Sequence, residues 1–146
     1  DNNCNGNIDE SPDCVCTVRR RGEQLYLFCN AEMRNWNNAR RFCEEQNARL
    51  LVIEDAEENQ WVIDQFRATG QRNSWIGLTD SQEKGTFRWI DGTPLEYTRW
   101  NQGEPNDWRE GEDCGQFLDN GRWNDARCSN RNAFICERPA GPEIIP

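Results

Sequence analysis

The sequence predicts one α+β domain that is stapled by disulfide bonds, and three observations support this fold class. The chain has 146 residues, which is enough for one hydrophobic core. Its eight cysteines are an even number, typical of a disulfide framework formed in an oxidising compartment. Helical periodicity in the first half gives way to short apolar runs separated by turn pairs, which indicates two helices and antiparallel sheets.

The first half of the chain predicts a strand followed by a helix. The run LYLF at residues 25–28 is typical of a strand, and the polar stretch at residues 19–24 is typical of a turn. Asn35 is a suitable N-cap for a helix over residues 36–46. The residues that share its buried side by three-and-four spacing are Trp36, Ala39, Phe42, Cys43 and Gln46.

A second short helix is indicated after residue 55. Asp55 followed three positions later by Glu58 is a capping-box pattern, and Gly70 is a suitable stop. The predicted buried side consists of Trp61, Val62 and Phe66.

The second half predicts sheet and loops. Residues 101–113 are almost wholly polar apart from Trp108, so we expect a long surface loop there, of the kind that often carries function. The short apolar runs that predict strands are WIGL at 75–78, FRWI at 87–90, CGQFL at 114–118 and AFIC at 133–136.

Composition excludes several classes of function. A net charge of -9 disfavours nucleic-acid binding, which needs a basic surface. The sequence has no histidine, so the commonest general base and zinc ligand are absent, and calcium with oxygen ligands is the metal that fits. No apolar run approaches the roughly 18 residues of a membrane span, so we expect no membrane insertion.

Four motifs carry a resemblance to a known family. They are WIGL at 75–78, EPN at 104–106, the triplet Glu112-Asp113-Cys114 and WND at 123–125. With them the chain resembles the C-type lectin family from about residue 25 to residue 138. The resemblance implies the C-type lectin fold, with two short helices, antiparallel sheets and a long calcium-binding loop. It also implies the disulfides Cys43–Cys136 and Cys114–Cys128.

The resemblance further implies a calcium site. Calcium takes six to eight oxygen ligands, and the family's principal site corresponds here to Glu104, Asn106, Glu112, Asn124 and Asp125. A sugar hydroxyl can place one lone pair on calcium, donate its proton to a carboxylate and accept from an amide. Two adjacent hydroxyls therefore need two acid–amide pairs, Glu104 with Asn106 and Glu112 with Asn124, while Asp125 holds the ion.

The order Glu-Pro-Asn implies a sugar preference. In the family this order accompanies equatorial 3- and 4-hydroxyls, as in mannose and N-acetylglucosamine, and the comparable pair of fucose. Galactose is then disfavoured. Trp108 is either a platform for a second sugar or aglycone or a loop residue folded down for packing.

An accessory calcium site in many relatives is built from acids that correspond here to Asp80, Asp107, Glu112 and Asp113. One further family acid is replaced by Lys84, whose ammonium repels a cation. We expect this accessory site to be weak or absent unless the neighbouring Glu83 compensates.

The N-terminus carries a separate calcium pattern. Its oxygen-bearing side chains alternate as in the first nine positions of an EF-hand loop, at Asp1, Asn3, Asn5, Asn7 and Asp9. Pro12 stands where an EF-hand has glutamate, so the segment instead resembles short cysteine-bearing calcium repeats of extracellular proteins. Cys4–Cys14 would close the repeat and Cys16–Cys29 would tie it to the domain. A crosslinked polar spacer without metal is the alternative.

These observations divide the chain into three parts and predict a binding protein, not an enzyme. Residues 1–16 form the appendage, 17–138 the C-type lectin domain and 139–146 a Pro-rich tail or linker. The expected partners are glycans or glycoconjugates with terminal mannose-like or fucose-like sugars, bound outside the cell or at its surface, with strength from several copies or a larger chain. The alternatives are a protein-binding or ice-binding domain of the same fold and, with less support, a glycosidase using paired carboxylates.

Overall fold

A computed structural model describes residues 16–83, 85–101 and 113–140 of the chain. In this part of the chain the elements alternate strands with two helices. They are β1 (Cys16–Arg21), β2 (Gln24–Arg34), α1 (Trp36–Glu45), β3 (Arg49–Leu50), α2 (Ala56–Ala68), β4 (Ser74–Thr79), β5 (Arg88–Trp89), β6 (Cys114–Phe117), β7 (Trp123–Ala126) and β8 (Asn132–Pro139). The predicted α+β class, with two short helices before most of the strands, is confirmed.

The described strands belong to one sheet with the order β1-β2-β8-β4-β6-β7. Strand β3 pairs with β8, and β5 pairs with β4. All pairs are antiparallel except β4 with β8, which run parallel with Ser74 opposite Ala133. A parallel pair needs a long crossover, and the chain between β4 and β8 supplies one. The sheet is therefore mixed, where purely antiparallel sheets were expected.

The two predicted caps begin the helices. The Asn35 side chain accepts from the backbone N–H of Asn38 at 2.8 Å, and Asp55 Oδ1 accepts from Glu58 N at 2.8 Å. The capping box is incomplete, because the Glu58 carboxylate accepts from Glu54 N at 2.8 Å, one residue before the cap. Gly70 follows α2 with φ of 71°, a left-handed conformation that favours glycine at a helix end.

Two details of the sequence prediction were wrong. Residues 19–21 are not part of a turn: they belong to β1 and pair with β2, so the turn between these strands is limited to Gly22 and Glu23. The strand tolerates consecutive arginines because it lies at the edge of the sheet, where charged side chains remain in solvent. Trp61 is only half-buried, with its ring 4.6 Å from that of Tyr26, whereas Val62 and Phe66 are buried as predicted.

Three of the predicted disulfides are formed. Cys16–Cys29 joins β1 to β2, Cys43–Cys136 joins α1 to β8, and Cys114–Cys128 joins β6 to the turn after β7. The second closes a sequence separation of 93 residues. In the chain-entropy model a loop of that size contributes about 4–5 kcal/mol, so this bond is the main covalent restraint on the unfolded chain. Cys4 and Cys14 lie outside the described residues.

The buried Glu137 carboxylate of β8 connects this strand to β2 and to the segment that begins with β3. It accepts hydrogen bonds from Val52 N at 2.9 Å, Arg49 Nε at 3.2 Å and Gln24 Nε2 at 3.0 Å. Burial raises the pKa of Glu137 from 4.5 to about 7, although the Val52 N–H and the Arg49 guanidinium act in the opposite direction. Folding therefore favours the protonated form of this group.

We expect Glu137 to make stability depend on pH. Its stabilising contribution is fully present below about pH 4.5 and is lost as the pH rises through about 7, because the unfolded carboxyl releases its proton first. The difference in unfolding free energy between wild type and Glu137→Gln should therefore fall across this range and level off above it. Urea denaturation of both proteins at a series of pH values measures this, and two parallel curves would contradict it.

A second prediction concerns the cap of α2. Asp55→Ala removes the acceptor for Glu58 N and should lower the unfolding free energy by about 1 kcal/mol. Asp64→Ala, on the exposed side of the same helix, is the matched control and should change it by less than about 0.5 kcal/mol. Equal effects of the two substitutions would show that charge, and not capping, is responsible.

Candidate functional site

Strand β7 carries two of the predicted calcium ligands, and its first residue anchors it in the core. Trp123 is fully buried and packs edge-on against Trp89, Tyr97 and Trp100, with ring centroids 5.4, 5.8 and 5.8 Å away. Its indole Nε1 donates to Asn59 Oδ1 of α2 at 2.9 Å. The packing of Trp123 therefore fixes the backbone from which the next two residues project.

Asn124 follows Trp123 and presents an amide oxygen. Its side chain is half-buried, and Nδ2 donates to Gln116 Oε1 of β6 at 2.9 Å. Within the described parts of the chain its Oδ1 accepts no hydrogen bond. An amide oxygen of this kind is a suitable ligand for calcium.

Asp125 follows on β7 and is fully buried opposite Gly115. A side chain at Gly115 would bring its Cβ within 2.6 Å of the Cβ of Leu78, so the sheet requires glycine there. This close approach of β4 and β6 fixes the strand that Asp125 pairs with. Asn124 and Asp125 are thus both placed by neighbouring strands, although their side chains differ in exposure.

Two of the predicted accessory acids lie next to each other. The backbone N–H of Asp80 donates to the carbonyl of Asp113 at 3.0 Å, and Thr79 Oγ1 donates to the same carbonyl at 2.7 Å. Asp80 is buried, and its Oδ2 accepts from Gly85 N at 2.9 Å. Glu83, which was considered as a substitute ligand, instead pairs with Arg88 at 2.8 Å.

The other predicted site residues lie outside the described residues. They are Glu104, Asn106, Asp107, Trp108 and Glu112, and the N-terminal Asp1, Asn3, Asn5, Asn7 and Asp9; Lys84 also lies outside the described residues. In the described ranges 16–83, 85–101 and 113–140, no three acidic, histidine or cysteine side chains are grouped to hold a metal. The predicted principal site draws three of its five ligands from residues 102–112. The chemistry of the two remaining ligands fits a hard cation, since both offer oxygen.

Sequence reasoning missed Gln116. It lies in a strand-like run, is 8% exposed, and donates through Nε2 to Asn132 Oδ1 at 3.3 Å while accepting from Asn124. A polar side chain inside an otherwise apolar run was the available signal. Its partners could be identified only once β6, β7 and β8 were placed.

Three cavities among the described residues are lined by residues outside β7. Their volumes are about 370, 380 and 360 Å³. The first lies beside Trp89 and Tyr97, the second beside Glu137, and the third beside Arg34 and Asn35. None of them is lined by Asn124 or Asp125, so the candidate site is not one of these clefts. Neither of the described helices is long and apolar enough to cross a membrane.

Comparison with curated proteins gives consistent relatives. The chain is 43% identical over 118 residues to C-type lectin domain family 4 member M of Pan troglodytes, covering 79% of this chain and 26% of that protein. It is 39% identical over 123 residues to the low affinity immunoglobulin epsilon Fc receptor of Mus musculus, covering 84% and 36%. The chain thus spans about a quarter to a third of these relatives. They are lectins and receptors, and no enzyme family is indicated.

Solved structures agree with the fold. The mouse scavenger receptor C-type lectin carbohydrate-recognition domain superposes with a TM-score of 0.80 and 35% identity, covering 88% of this chain and 97% of that one. The cow CD23 C-type carbohydrate-recognition domain, in the presence of a GlcNAc2Man3 oligosaccharide, gives 0.78 and 35%, covering 86% and 95%. The family model described as Lectin C-type domain matches residues 32–138. The chain therefore belongs to the C-type lectin domain family.

Proposed function

We propose that this chain is a calcium-dependent carbohydrate-recognition domain that binds vicinal equatorial hydroxyls directly on the ion. The observation that carries the proposal is the amide of Asn124: its Nδ2 donates to Gln116, and its Oδ1 accepts no hydrogen bond from the described residues. An asparagine that is held by one end of its amide can offer the oxygen at the other end to a ligand. The family to which the chain belongs supports carbohydrate recognition in general.

The proposed ligands combine acids with amides, and each has a separate task. Glu104, Asn106, Glu112, Asn124 and Asp125 are proposed to hold calcium. When bound, the ion would supply a centre of positive charge that takes hydroxyl oxygens as ligands. The amides of Asn106 and Asn124 would donate to each hydroxyl oxygen, and the carboxylates of Glu104 and Glu112 would accept its proton. Asp125, buried beside Gly115, would keep a charged ligand in a fixed place.

The sugars that we propose for this site are mannose, fucose and N-acetylglucosamine, as the Glu-Pro-Asn order at 104–106 implies. Trp108 is proposed to contact a second sugar or an aglycone. Glycans and glycoconjugates outside the cell or at its surface are the proposed partners, with avidity from several copies or from a longer chain. The division into an appendage at 1–16, a lectin domain at 17–138 and a tail at 139–146 is retained as part of the proposal, as is calcium binding by the N-terminal segment.

A protein-binding role is the second candidate. It is favoured by the 39% identity to a mouse protein named as an immunoglobulin epsilon Fc receptor. A domain of this kind would use its loop surface on a protein and would not require free monosaccharide. The relatives named above are lectins and receptors and do not favour the glycosidase alternative.

We expect sugar binding to depend on calcium. Calorimetric titration with methyl mannoside, fucose and galactose should show binding of the first two in calcium, loss of it in excess chelator, and at least about tenfold weaker binding of galactose, a difference of about 1.4 kcal/mol. Galactose preference would instead assign specificity to Trp108. Calcium binding without any sugar binding would favour the protein-binding candidate.

Substitution of Asn124 tests the site itself. Asn124→Ala removes both an oxygen ligand and an N–H donor, so calcium and mannoside affinity should each fall by about tenfold or more. Asn37→Ala, at an exposed position of α1, is the control and should leave both affinities unchanged. Unchanged affinity in Asn124→Ala would remove Asn124 from the site.

A further inference from the structure

Three side-chain amides form a chain beside the proposed calcium site. Asn124 of β7 donates to Gln116 of β6 at 2.9 Å, and Gln116 donates to Asn132 of β8 at 3.3 Å. Gln116 lies in the middle, is buried, and uses both ends of its amide in these two contacts. Each strand therefore contributes one member, and the direction of donation is the same along the chain.

The direction of donation determines what Asn124 presents. An amide that donates through its NH2 group to a fixed acceptor turns its carbonyl oxygen away from that acceptor, and it keeps a second N–H for another partner. In Asn124 this leaves Oδ1 and one N–H directed to sites other than Gln116. These are the two groups that an acid–amide pair needs: an oxygen for the metal and a donor for a hydroxyl.

We propose that Gln116 is a positioning residue that orients the Asn124 amide for metal and sugar; this inference rests on the proposed function. Ligand orientation by neighbouring hydrogen bonds is a general feature of metal sites and is worth about 10- to 100-fold in affinity. Gln116 is buried and its amide oxygen accepts from Asn124, so we assign it to orientation of Asn124 and not to direct contact with the ion.

The structure around Gln116 keeps it in place. It stands opposite Trp75 of β4 on one side and Asn124 on the other. The preceding Gly115 packs closely against Leu78, and Cys114 is tied to Cys128. These restraints fix the β6 backbone at the two residues before Gln116. The Gln116 side chain therefore starts from a fixed position.

The reverse direction of the chain is the competing arrangement. Asn132 Nδ2 is buried and makes no hydrogen bond with the described residues, and reversal of all three amides would give it Gln116 as a partner. Reversal would also make Asn124 Oδ1 accept from Gln116 and so remove a ligand oxygen. The proposed calcium site therefore requires the observed direction.

Two substitutions separate acceptance by Gln116 from mere packing. Gln116→Met keeps the length but offers no strong acceptor, and calcium affinity measured by calorimetry should fall about tenfold. Gln116→Glu keeps the acceptor for Asn124 and allows Asn132 to turn and donate, so affinity should stay within about threefold of wild type or rise. Melting temperature in chelator shows whether each variant is folded, and the Asn124 side-chain NH2 signals in NMR show whether its hydrogen bond is present.

A charge control is needed because glutamate could attract calcium from a distance. The double variant Gln116→Met with Asn132→Asp adds a nearby carboxylate but leaves the Asn124 NH2 group without the acceptor that Gln116 provides. It should stay as weak as Gln116→Met, and recovery to the Gln116→Glu affinity would overturn the proposal in favour of a charge effect.

The remaining outcomes distinguish this inference from the function on which it rests. Wild type that binds calcium, with Gln116→Met binding it equally well, overturns the positioning role alone. Wild type that binds no calcium overturns both. Loss of the downfield Asn124 NH2 signal together with weaker calcium binding in Gln116→Met, and its return in Gln116→Glu, supports the proposal.

Discussion

Trp123 is buried where β7 begins, and the geometry around the candidate site depends on that burial. Its indole contacts three other aromatic rings and donates to Asn59 of α2. Burial of one tryptophan with its N–H satisfied contributes apolar area and fixes orientation at the same time. The Trp123 side chain therefore connects β7 to α2 and to the segment around residues 97–100. The positions of Asn124 and Asp125 depend on these contacts.

Polar groups inside this fold are used to connect elements. Glu137 accepts hydrogen bonds from Val52, Arg49 and Gln24. Glu58 accepts from Tyr26 Oη at 2.8 Å and from the backbone N–H of Glu54, which precedes α2. Burial raises the pKa of both carboxyls, although hydrogen bonds offset part of the effect. A buried polar group contributes only when its partners are present, so these contacts specify which strands meet.

The amide chain of Asn124, Gln116 and Asn132 is built on the same principle but lies nearer the surface. In the core, the Glu137 and Glu58 carboxylates accept hydrogen bonds from protein donors. Here, among the described residues, Asn124 Oδ1 at one end of the amide chain and Asn132 Nδ2 at the other make no hydrogen bond. An arrangement that forgoes hydrogen bonds inside the protein is expected where an external ligand completes it. Under the proposed function, that ligand is a cation with a sugar.

The sequence by itself determined the local structure and the family. Asn35, Asp55 and Gly70 marked helix ends because capping and left-handed backbone depend on single residues, and the motifs at 75–78 and 123–125 carried the resemblance. The disulfides Cys43–Cys136 and Cys114–Cys128 followed from that resemblance, and Cys16–Cys29 followed from the interpretation of the N-terminal cysteines. Only the tertiary structure decided that β4 and β8 run parallel, that residues 19–21 continue a strand, and that Gln116 holds Asn124. These features depend on contacts between residues distant in sequence, and local propensity carries no information about which strands become neighbours.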